Sequence, residues 1–206
     1  MSILRHMNIL LASNNPHKKE EFARILTSHT LVLPSELSLR FDFEEDKETF
    51  TENALGKARA LKAIAPDGYL VLADDSGICI DALGGAPGVR TARYGMEEHG
   101  RMLESPERNA WLLKNLSHIT KTEQRSARFV CALALIAGEH RVFTLCESVE
   151  GYIATESYGK GGFGYDPVFV VKEAGKTMAE LTEQEKDRVS HRGRATRHLI
   201  TLLGEL

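Results

Sequence analysis

One stretch in the middle of the chain limits which folds are open to it: the apolar run from Tyr69 to Ala73 is followed at once by two acids. An apolar run of this length that ends in turn-forming residues predicts a strand buried on both faces. We expect this strand to end at Ala73, so that Asp74 and Asp75 lie at its carboxyl end, where open α/β sheets bind their ligands. An Asx turn, in which Asp and Ser side chains hydrogen-bond their own backbone, explains the Asp-Asp-Ser-Gly sequence equally well.

Two arginines follow these acids after a glycine-rich turn. The turn is G-G-A-P-G at residues 84–88, and Arg90 and Arg93 come after it. Because adjacent carboxylates repel, Asp74 and Asp75 are costly to place together unless a cation or a shared proton is near. Acids, glycines and arginines in one segment therefore suggest a site for a metal ion and phosphate groups.

The composition is that of an ordinary globular protein. The 206 residues are 42% hydrophobic and 27% charged, with a net charge of -3. This length predicts one domain with a substantial core, built as two lobes. We expect no nucleic-acid partner, because sequence-independent binding of nucleic acid needs a basic face. We expect no membrane partner either, because no apolar stretch approaches the roughly 20 residues of a membrane helix.

The three cysteines indicate the compartment. Cys79, Cys131 and Cys146 lie in apolar runs and have no C-x-x-C spacing. An odd number of thiols in such runs predicts a reduced, cytoplasmic chain without structural disulfides or a zinc site. The N-terminus lacks the features of a signal peptide, and we expect residues 1–6, which precede the first strand, to be dispensable.

A polar loop opens the first predicted helix. The apolar run of residues 8–12 predicts a strand, and Phe22, Ile25 and Leu26 follow at helical spacing. The free N–H groups and the dipole of a helix N-terminus favour an anion, and Lys18 adds a positive charge there. The alternative is an N-cap followed by an exposed, lysine-rich first turn. We favour a phosphate site, because lysines in a first turn oppose the dipole.

An acidic run, F-D-F-E-E-D-K-E at residues 41–48, precedes the second predicted helix. Most such runs are solvated surface. Here Thr49 and Glu52 form a capping-box pattern that anchors the helix, so Glu44 and Glu45 lie where a carboxylate can be held in place. As oxygen donors without a His or Cys cluster, they would favour Mg²⁺ or Mn²⁺.

Four glycines occur in G-K-G-G-F-G-Y-D-P, residues 159–167. Glycines let the backbone approach a ligand closely, while Phe163 and Tyr165 offer rings on which a flat base can stack. Asp166 can accept a proton from a base edge or hold the loop, and Lys160 adds charge. The spacing is neither that of a P-loop nor that of a dinucleotide-binding fingerprint. The alternative is a glycine-rich hairpin without a ligand.

The C-terminal segment combines positive charge with helix signals. Thr182 and Glu185 form a second capping box, and Lys186, His191 and Arg192 follow. These cations either suit the negative end of a helix dipole or bind a base carbonyl or a phosphate.

Two further segments carry no predicted chemistry. Ser105 as N-cap and Pro106 behind it predict a helix that runs to Leu116. Residues 128–137 and 141–149 predict an antiparallel hairpin whose first strand is buried on both sides.

Six of these segments together resemble the inosine triphosphate pyrophosphatase family, whose members hydrolyse non-standard purine nucleoside triphosphates. Each segment alone is a weak signal, but the six occur in the family's order and span nearly the whole chain. The segments are S-N-N-P-H-K at residues 13–18, E-E before T-F-T-E-N-A at 44–54, A-D-D-S-G at 73–77, G-G-A-P-G-V-R-T-A-R-Y at 84–94, G-G-F-G-Y-D-P at 161–167 and S-H-R-G at 190–193.

The resemblance implies an α/β fold with a long mixed central sheet flanked by helices. It implies a single domain over residues 1–206, with two lobes and a substrate cleft between them, and a homodimer. It also implies Mg²⁺-dependent XTP/dITP diphosphatase activity, with Mn²⁺ as an alternative cofactor. Such an enzyme cleaves ITP, dITP and XTP at the α–β phosphoanhydride to a nucleoside monophosphate and pyrophosphate, and so removes them from the nucleotide pool.

The resemblance also implies roles for individual residues. Asp75 is implied as the proton acceptor for water and as a metal neighbour, with Glu44 or Glu45 as a further metal ligand. The triphosphate is implied to bind at Ser13, Asn14, Asn15, Pro16, His17 and Lys18, and the rest of the nucleotide at Ser76, Phe163, Gly164, Tyr165, Asp166, Lys186, His191 and Arg192. Donors that face the 6-oxo group, such as a backbone N–H, His191 or Arg192, would disfavour adenine.

Three other functions compete with this one. A Maf-type pyrophosphatase has a similar fold and would cleave UTP or dTTP, but the segments at 161–167 and 190–193 count against it. A haloacid-dehalogenase-type phosphatase needs an Asp-x-Asp pair, usually near the N-terminus, whereas these acids are adjacent and mid-chain. A nucleotide-binding sensor would keep the pocket without turnover, but the intact Asp75, Glu44, Glu45 and Lys18 argue against it.

Overall fold

The chain forms a seven-stranded mixed sheet with the strand order β2-β1-β3-β4-β5-β6-β7 in a computed structural model that describes residues 6–206. Residues 1–5, which belong to the segment expected to be dispensable, lie outside the described residues. β1 pairs in parallel with β2 and β3, whereas β6 pairs antiparallel with β5 and β7. The strands are β1 (Asn8–Ala12), β2 (Thr30–Val32), β3 (Tyr69–Ile80), β4 (Ser126–Gly138), β5 (Arg141–Ile153), β6 (Phe169–Val171) and β7 (Lys176–Thr177).

Six α-helices and several short 3₁₀ turns connect these strands in the part of the chain that the structure describes. Within residues 6–206, no helix is both long and apolar enough to span a bilayer. The helices are α1 (Pro16–Ile25), α2 (Phe50–Lys62), α3 (Met96–His99), α4 (Ser105–Asn115), α5 (Glu183–Val189) and α6 (His191–Leu203).

The chain divides into two compact units. The first unit comprises residues 6–75 together with Cys131–Glu147 and His191–Leu206. The second comprises Ser76–Val130 and Ser148–Ser190. Each unit has its own hydrophobic core, so each is described by itself.

The first unit has apolar layers on both faces of its strands, because successive residues of a strand point to opposite faces. On one face, Leu11 and Leu72 pack with side chains of α1 and α6. On the other face, Leu10 and Val71 pack with the small residues of α2, Ala54 and Ala58 among them.

The second unit is built around aromatic and branched side chains. Phe129 and Phe169 meet edge to face with their ring centroids 4.6 Å apart, and Leu112 of α4 packs against the same cluster. The connection between β4 and β5 is only Glu139 and His140, and a link of two residues joins antiparallel strands. The predicted hairpin is therefore confirmed.

Two predicted boundaries are wrong. β3 does not end at Ala73 but continues through the two acids to Ile80, so Asp74 and Asp75 lie inside a strand and not at its carboxyl end. α4 is capped by Glu104 and not by Ser105, because the backbone N–H of Glu104 donates to the Glu107 side chain at 3.0 Å.

The predictions for caps and thiols have mixed outcomes. Thr49 caps α2 and Thr182 caps α5, each by accepting a hydrogen bond from a backbone N–H in the first turn, as predicted. All three cysteines are free thiols. Cys131 is buried, but Cys146 is exposed, since alternate side chains of β5 face outward.

Candidate functional site

Asp74 and Asp75 occupy consecutive positions of β3, so their side chains point to opposite faces of the strand. Asp74 continues the face of Leu72, which packs with α1 and α6. Asp75 continues the face of Ala73, which packs with α2. The exposed fractions are 0% and 3%, so both carboxyl groups are buried, each in different surroundings.

Asp74 lies among positive charges. Its Oδ1 forms an ion pair with Lys18 Nζ, and its Oδ2 lies 3.2 Å from Arg192 Nε. The thiol of Cys131 donates a further hydrogen bond to Oδ2 at 3.2 Å. Although burial alone would raise the pKa of Asp74, the charges of Arg192 and Lys18 hold it well below its usual range. Asp74 is therefore a permanent anion that holds these cations.

Arg192 joins Asp74 to a second buried acid. Its Nη1 lies 2.5 Å from Oε2 of Glu21 in α1, and both side chains are almost fully buried. Burial alone would lower the pKa of Arg192, but Asp74 and Glu21 raise it above its ordinary value. The guanidinium is thus engaged by two carboxylates within the first unit.

Asp75 has the opposite environment. Its Oδ2 is buried and accepts no hydrogen bond from any residue between 6 and 206. Burial, and then the negative charge of Glu45, raises the pKa of Asp75 to about 6. A carboxyl group with this pKa is mostly ionised at pH 7, yet it is basic enough to take a proton from a bound water. An unsatisfied buried acceptor is rare in native proteins and makes Asp75 a candidate for contact with a ligand.

Helix α2 holds the acidic segment beside Asp75. Lys57 is 6% exposed, and its Nζ pairs with Glu45 and donates a 2.9 Å hydrogen bond to the backbone carbonyl of Asp74. Asn53, fully buried one turn earlier, accepts a 3.0 Å hydrogen bond from the backbone N–H of Lys47. The helix therefore fixes both the side chain of Glu45 and the backbone just after it.

The second unit carries a separate cluster on its glycine-rich segment. Lys186 of α5 donates a 2.5 Å hydrogen bond to Asp166 Oδ2, and the same oxygen accepts a 2.8 Å hydrogen bond from the backbone N–H of Phe163. Lys186 Nζ also lies 4.9 Å from the centroid of the Phe163 ring. Gly162 has a φ of 70°, and a Cβ there would lie 2.0 Å from Asp166 Oδ2, so only glycine fits. The half-buried ring of Phe163 is thereby held in one place.

Tyr165 belongs to the core of the second unit. Its side chain is 2% exposed, and its hydroxyl donates a 3.0 Å hydrogen bond to the carbonyl of Thr91. The guanidinium of Arg108 lies 5.4 Å from its ring centroid. The prediction that a base stacks on Tyr165 is therefore corrected: core packing covers this ring, whereas the ring of Phe163 is only half-buried.

The sequence matches the model of the Ham1 family over residues 9–202. A curated relative from Treponema denticola, named dITP/XTP pyrophosphatase, is 48% identical over 92% of this chain and 94% of its own length. A Bacillus subtilis relative of the same name is 45% identical over 94% of this chain and 96% of its own length. The chain belongs to the Ham1 family.

Solved structures of Ham1 proteins have the same fold. A HAM1 protein from Coxiella burnetii is 40% identical and superposes with a TM-score of 0.83, covering 97% of this chain and 100% of its own. The Ham1 protein of Staphylococcus aureus is 38% identical, with a TM-score of 0.81. The α/β fold with a mixed sheet, expected from the sequence, is confirmed.

The loop predicted to hold phosphate is built as a helix cap in this Ham1-family chain. Oδ1 of Asn15 accepts hydrogen bonds from the backbone N–H groups of His17 at 3.0 Å and Lys18 at 3.4 Å. The N–H of Asn15 itself donates to Ser13 Oγ at 3.0 Å. The Lys18 side chain is not exposed, as a simple lysine-rich turn would have it, but pairs with Asp74. The structure therefore contains the predicted cap and, beside it, a half-buried lysine that is paired with a buried acid.

Four other residues that were predicted to bind substrate lie in or beside the elements described above. Asn14 donates a 3.1 Å hydrogen bond to the carbonyl of Phe41, and Pro16 begins α1. Ser76 is half-buried next to Asp75 in β3, and His191 begins α6 with 5% exposure.

The structure separates the two candidate metal ligands of the acidic segment. Glu44 is exposed, whereas Glu45 is half-buried and acts on the charge of Asp75. In residues 6–206, no group of three His, Cys, Asp or Glu side chains is placed to hold a metal ion. Of the alternatives that the sequence left open, the geometry favours Glu45.

Sequence reasoning missed Lys57 and Glu21 in this Ham1-family chain, although each left a signal. Lys57 lies three residues after Ala54 and next to Ala58, on the apolar face of α2. Glu21 precedes Phe22 on the inward face of α1. A charged residue on the buried face of an amphipathic helix requires a partner of opposite charge, and that requirement is readable from spacing alone.

Proposed function

We propose that this chain hydrolyses non-standard purine nucleoside triphosphates, ITP, dITP and XTP, to the nucleoside monophosphate and pyrophosphate. Near-full-length relatives named dITP/XTP pyrophosphatase support the substrate class. The single observation that carries the chemistry is the buried carboxyl group of Asp75, whose Oδ2 has no hydrogen-bond donor in residues 6–206 and whose pKa is raised to about 6.

Asp75 takes the role of general base in this proposal. It accepts a proton from a water molecule as that water attacks the α–β phosphoanhydride, whose P–O bond then breaks. Asp74, by contrast, accepts no proton, because Lys18 and Arg192 hold its pKa low. Its task is to keep Lys18 at the opening of α1, where a positive charge and the helix dipole favour phosphate.

The donor set beside Asp75 fits a magnesium ion. Asp75 Oδ2 lacks a hydrogen-bond donor among the described residues, and Glu45 supplies a second carboxylate close to it. Mg²⁺ is usually bound by one or two carboxylates together with substrate phosphates, so a pair of acids is sufficient without a third side chain. A bound Mg²⁺ would neutralise phosphate charge and activate the attacking water. Asp75 and Glu45 are the residues that would hold it.

The glycine-rich segment of the second unit suits recognition of the base. The ring of Phe163 offers a stacking surface, and the Lys186 ammonium with Asp166 fixes it. The backbone N–H of Gly164 donates to no acceptor among residues 6–206, so it is available to a 6-oxo group. A donor at this position disfavours adenine, whose 6-amino group would leave it unpaired.

Release of pyrophosphate and of orthophosphate from ITP, XTP, GTP, ATP, UTP and dTTP, with and without Mg²⁺, tests the proposal. We expect metal-dependent release of pyrophosphate from ITP and XTP and little from the other nucleotides. Orthophosphate as the product would favour a phosphatase. Turnover of UTP or dTTP would favour a Maf-type enzyme, and binding without turnover would favour a sensor.

A matched pair of variants tests the metal site. We expect Glu45→Gln to raise the Mg²⁺ concentration for half-maximal activity by about tenfold or more, because even residues that only support a metal ligand cost that much. Glu44→Gln changes the neighbouring, exposed carboxylate in the same way and should leave the Mg²⁺ dependence unaltered. Equal effects of the two substitutions, or no effect of either, would remove Glu45 from the site.

We also propose a cytoplasmic homodimer. The support is the family resemblance for the dimer and the three free thiols for a reducing compartment. Sedimentation equilibrium of the purified chain tests the dimer.

A further inference from the structure

Asn109 of α4 contacts the glycine-rich segment from the interior of the second unit. Its side chain is 4% exposed, and Nδ2 donates a 3.0 Å hydrogen bond to the carbonyl of Gly164. Its Oδ1 is also buried and accepts no hydrogen bond from the described residues. A buried amide that leaves one atom unsatisfied costs stability, so packing alone gives no reason for an asparagine here.

The contact falls at the part of the loop to which the proposed function assigns the base. The backbone N–H of Phe163 is fixed by Asp166, and the carbonyl of Gly164 is fixed by Asn109. Between these two hydrogen bonds lies the peptide that carries the N–H of Gly164, the donor available to a 6-oxo group. Gly164 has a φ of 64°. Because glycine has no Cβ, its backbone can also adopt other conformations, and contacts from outside are needed to keep this one.

The peptide that carries the Gly164 N–H also carries the carbonyl of Phe163, which accepts a 3.2 Å hydrogen bond from the backbone N–H of Asp166. Gly161 donates a 3.0 Å backbone hydrogen bond to Ala179, and the hydroxyl of Tyr165 donates to Thr91. Asn109 is the side chain that bonds to the backbone of Gly164 itself, in the part of the chain that the structure describes. The two peptides that meet at the Cα of Gly164 are therefore held by Asp166 on one side and by Asn109 on the other.

We propose that Asn109 is a positioning residue for purine recognition. Its amide holds the carbonyl of Gly164 while the N–H of Asp166 holds the carbonyl of Phe163, so that the turn at Gly164 keeps the backbone angles at which its N–H faces the 6-oxo group of a base stacked on Phe163. This inference rests on the proposed function, because it assigns Asn109 to the base-binding segment of that function. Asn109 touches neither the substrate nor the reacting atoms.

Two substitutions remove the donor in different ways. Asn109→Asp keeps the shape but replaces the NH₂ group by an oxygen, which repels the carbonyl of Gly164. Asn109→Ala removes the whole side chain. Asn115→Ala is the matched control, because Asn115 lies on the same helix and its Nδ2 donates a 2.9 Å hydrogen bond to Tyr94 Oη, away from the loop.

The experiment compares binding of IMP and of pyrophosphate by calorimetry with kcat and KM for ITP. For both Asn109 variants we expect the IMP Kd and the ITP KM to rise about tenfold, the effect of one lost hydrogen bond and a misaligned donor, with kcat and the pyrophosphate Kd unchanged. Asn115→Ala should leave all four unchanged. Thermal unfolding of the three variants shows whether each is folded.

Each other outcome contradicts the inference in its own way. Equal weakening of IMP and pyrophosphate would show a general structural effect, and unchanged IMP affinity would show that Asn109 does not position the loop. A wild-type chain that binds IMP but releases no pyrophosphate from ITP would overturn the proposed function, while the IMP Kd still tests Asn109. A wild-type chain that does not bind IMP would overturn both.

Discussion

Asp75→Asn is expected to lower kcat for ITP by about a thousandfold while the chain still binds nucleotide. The substitution keeps the shape of the side chain but removes the proton acceptor and one of the two carboxylates proposed to hold Mg²⁺. The protein itself should be no less stable, because the carboxyl group of Asp75 is buried near Glu45 and has its pKa raised to about 6. Because the pKa is raised in the folded state, an ionised Asp75 destabilises the folded protein at pH 7, and a neutral amide removes this penalty.

The measurements are pyrophosphate release, equilibrium binding of IMP and unfolding in urea. Asp81→Asn is the control, since it removes an exposed carboxylate just after the same strand, one that pairs with Arg128 at 2.9 Å. It should keep full activity. Turnover by Asp75→Asn at the wild-type rate would exclude Asp75 as the base, and simultaneous loss of activity and of folding would leave its role in folding as the cause.

Asp74→Asn is expected to have the opposite consequence: a loss of about 3–5 kcal/mol in the free energy of unfolding. The substitution leaves Lys18 and Arg192 without their shared carboxylate, and Arg192 is 3% exposed. The free energy of unfolding of a native protein is usually about 5–15 kcal/mol, so this single substitution would remove a large part of it. Urea unfolding of the variant against wild type measures the difference.

The effect of Asp74 should depend on pH in a defined direction. Its pKa is lower in the folded protein than in the unfolded chain, so its stabilisation is fully present above the unfolded value of about 3.9 and is lost as pH falls below it. The difference between wild type and Asp74→Asn should therefore be constant near neutral pH and shrink in acid. Asp81→Asn should cost less than about 1 kcal/mol at any pH, because its carboxylate is exposed. If Asp74→Asn also lost less than about 1 kcal/mol, the buried ion pairs of Asp74 would not stabilise the fold as proposed.

The parts of the fold that could be predicted from sequence are those set by local patterns. β1 was predicted at its observed bounds from one apolar run, and the caps at Thr49 and Thr182 follow from hydroxyl and carboxylate spacing. The end of β3 was mispredicted because Asp and Gly normally break strands. Here the ladder continues, since Lys18 and Arg192, far away in the chain, compensate the buried charge of Asp74.

The same limit applies to the candidate site. Asp75, Glu45 and Lys18 could be named from short motifs, but nothing local distinguishes Asp74 from Asp75, or Glu44 from Glu45. The distinction comes from which cations lie nearby: Arg192, 118 residues away in the chain, pairs with Asp74, and Lys57 of the next helix pairs with Glu45. Such pairings depend on how separate segments pack. For Tyr165 the opposite holds, because its motif marked it for substrate whereas its environment is a hydrophobic core.

The alternation of side chains between the two faces of β3 limits which insertions and deletions this chain can tolerate during evolution. Ala12 pairs with Ala73 in the parallel register of β1 and β3, and this pairing determines which acid meets α6 and which meets α2. An insertion or deletion of one codon in the strand would exchange the two environments without altering either acid. We therefore expect the spacing of this segment to tolerate change less than its composition does, and length variation to accumulate in the connecting loops instead.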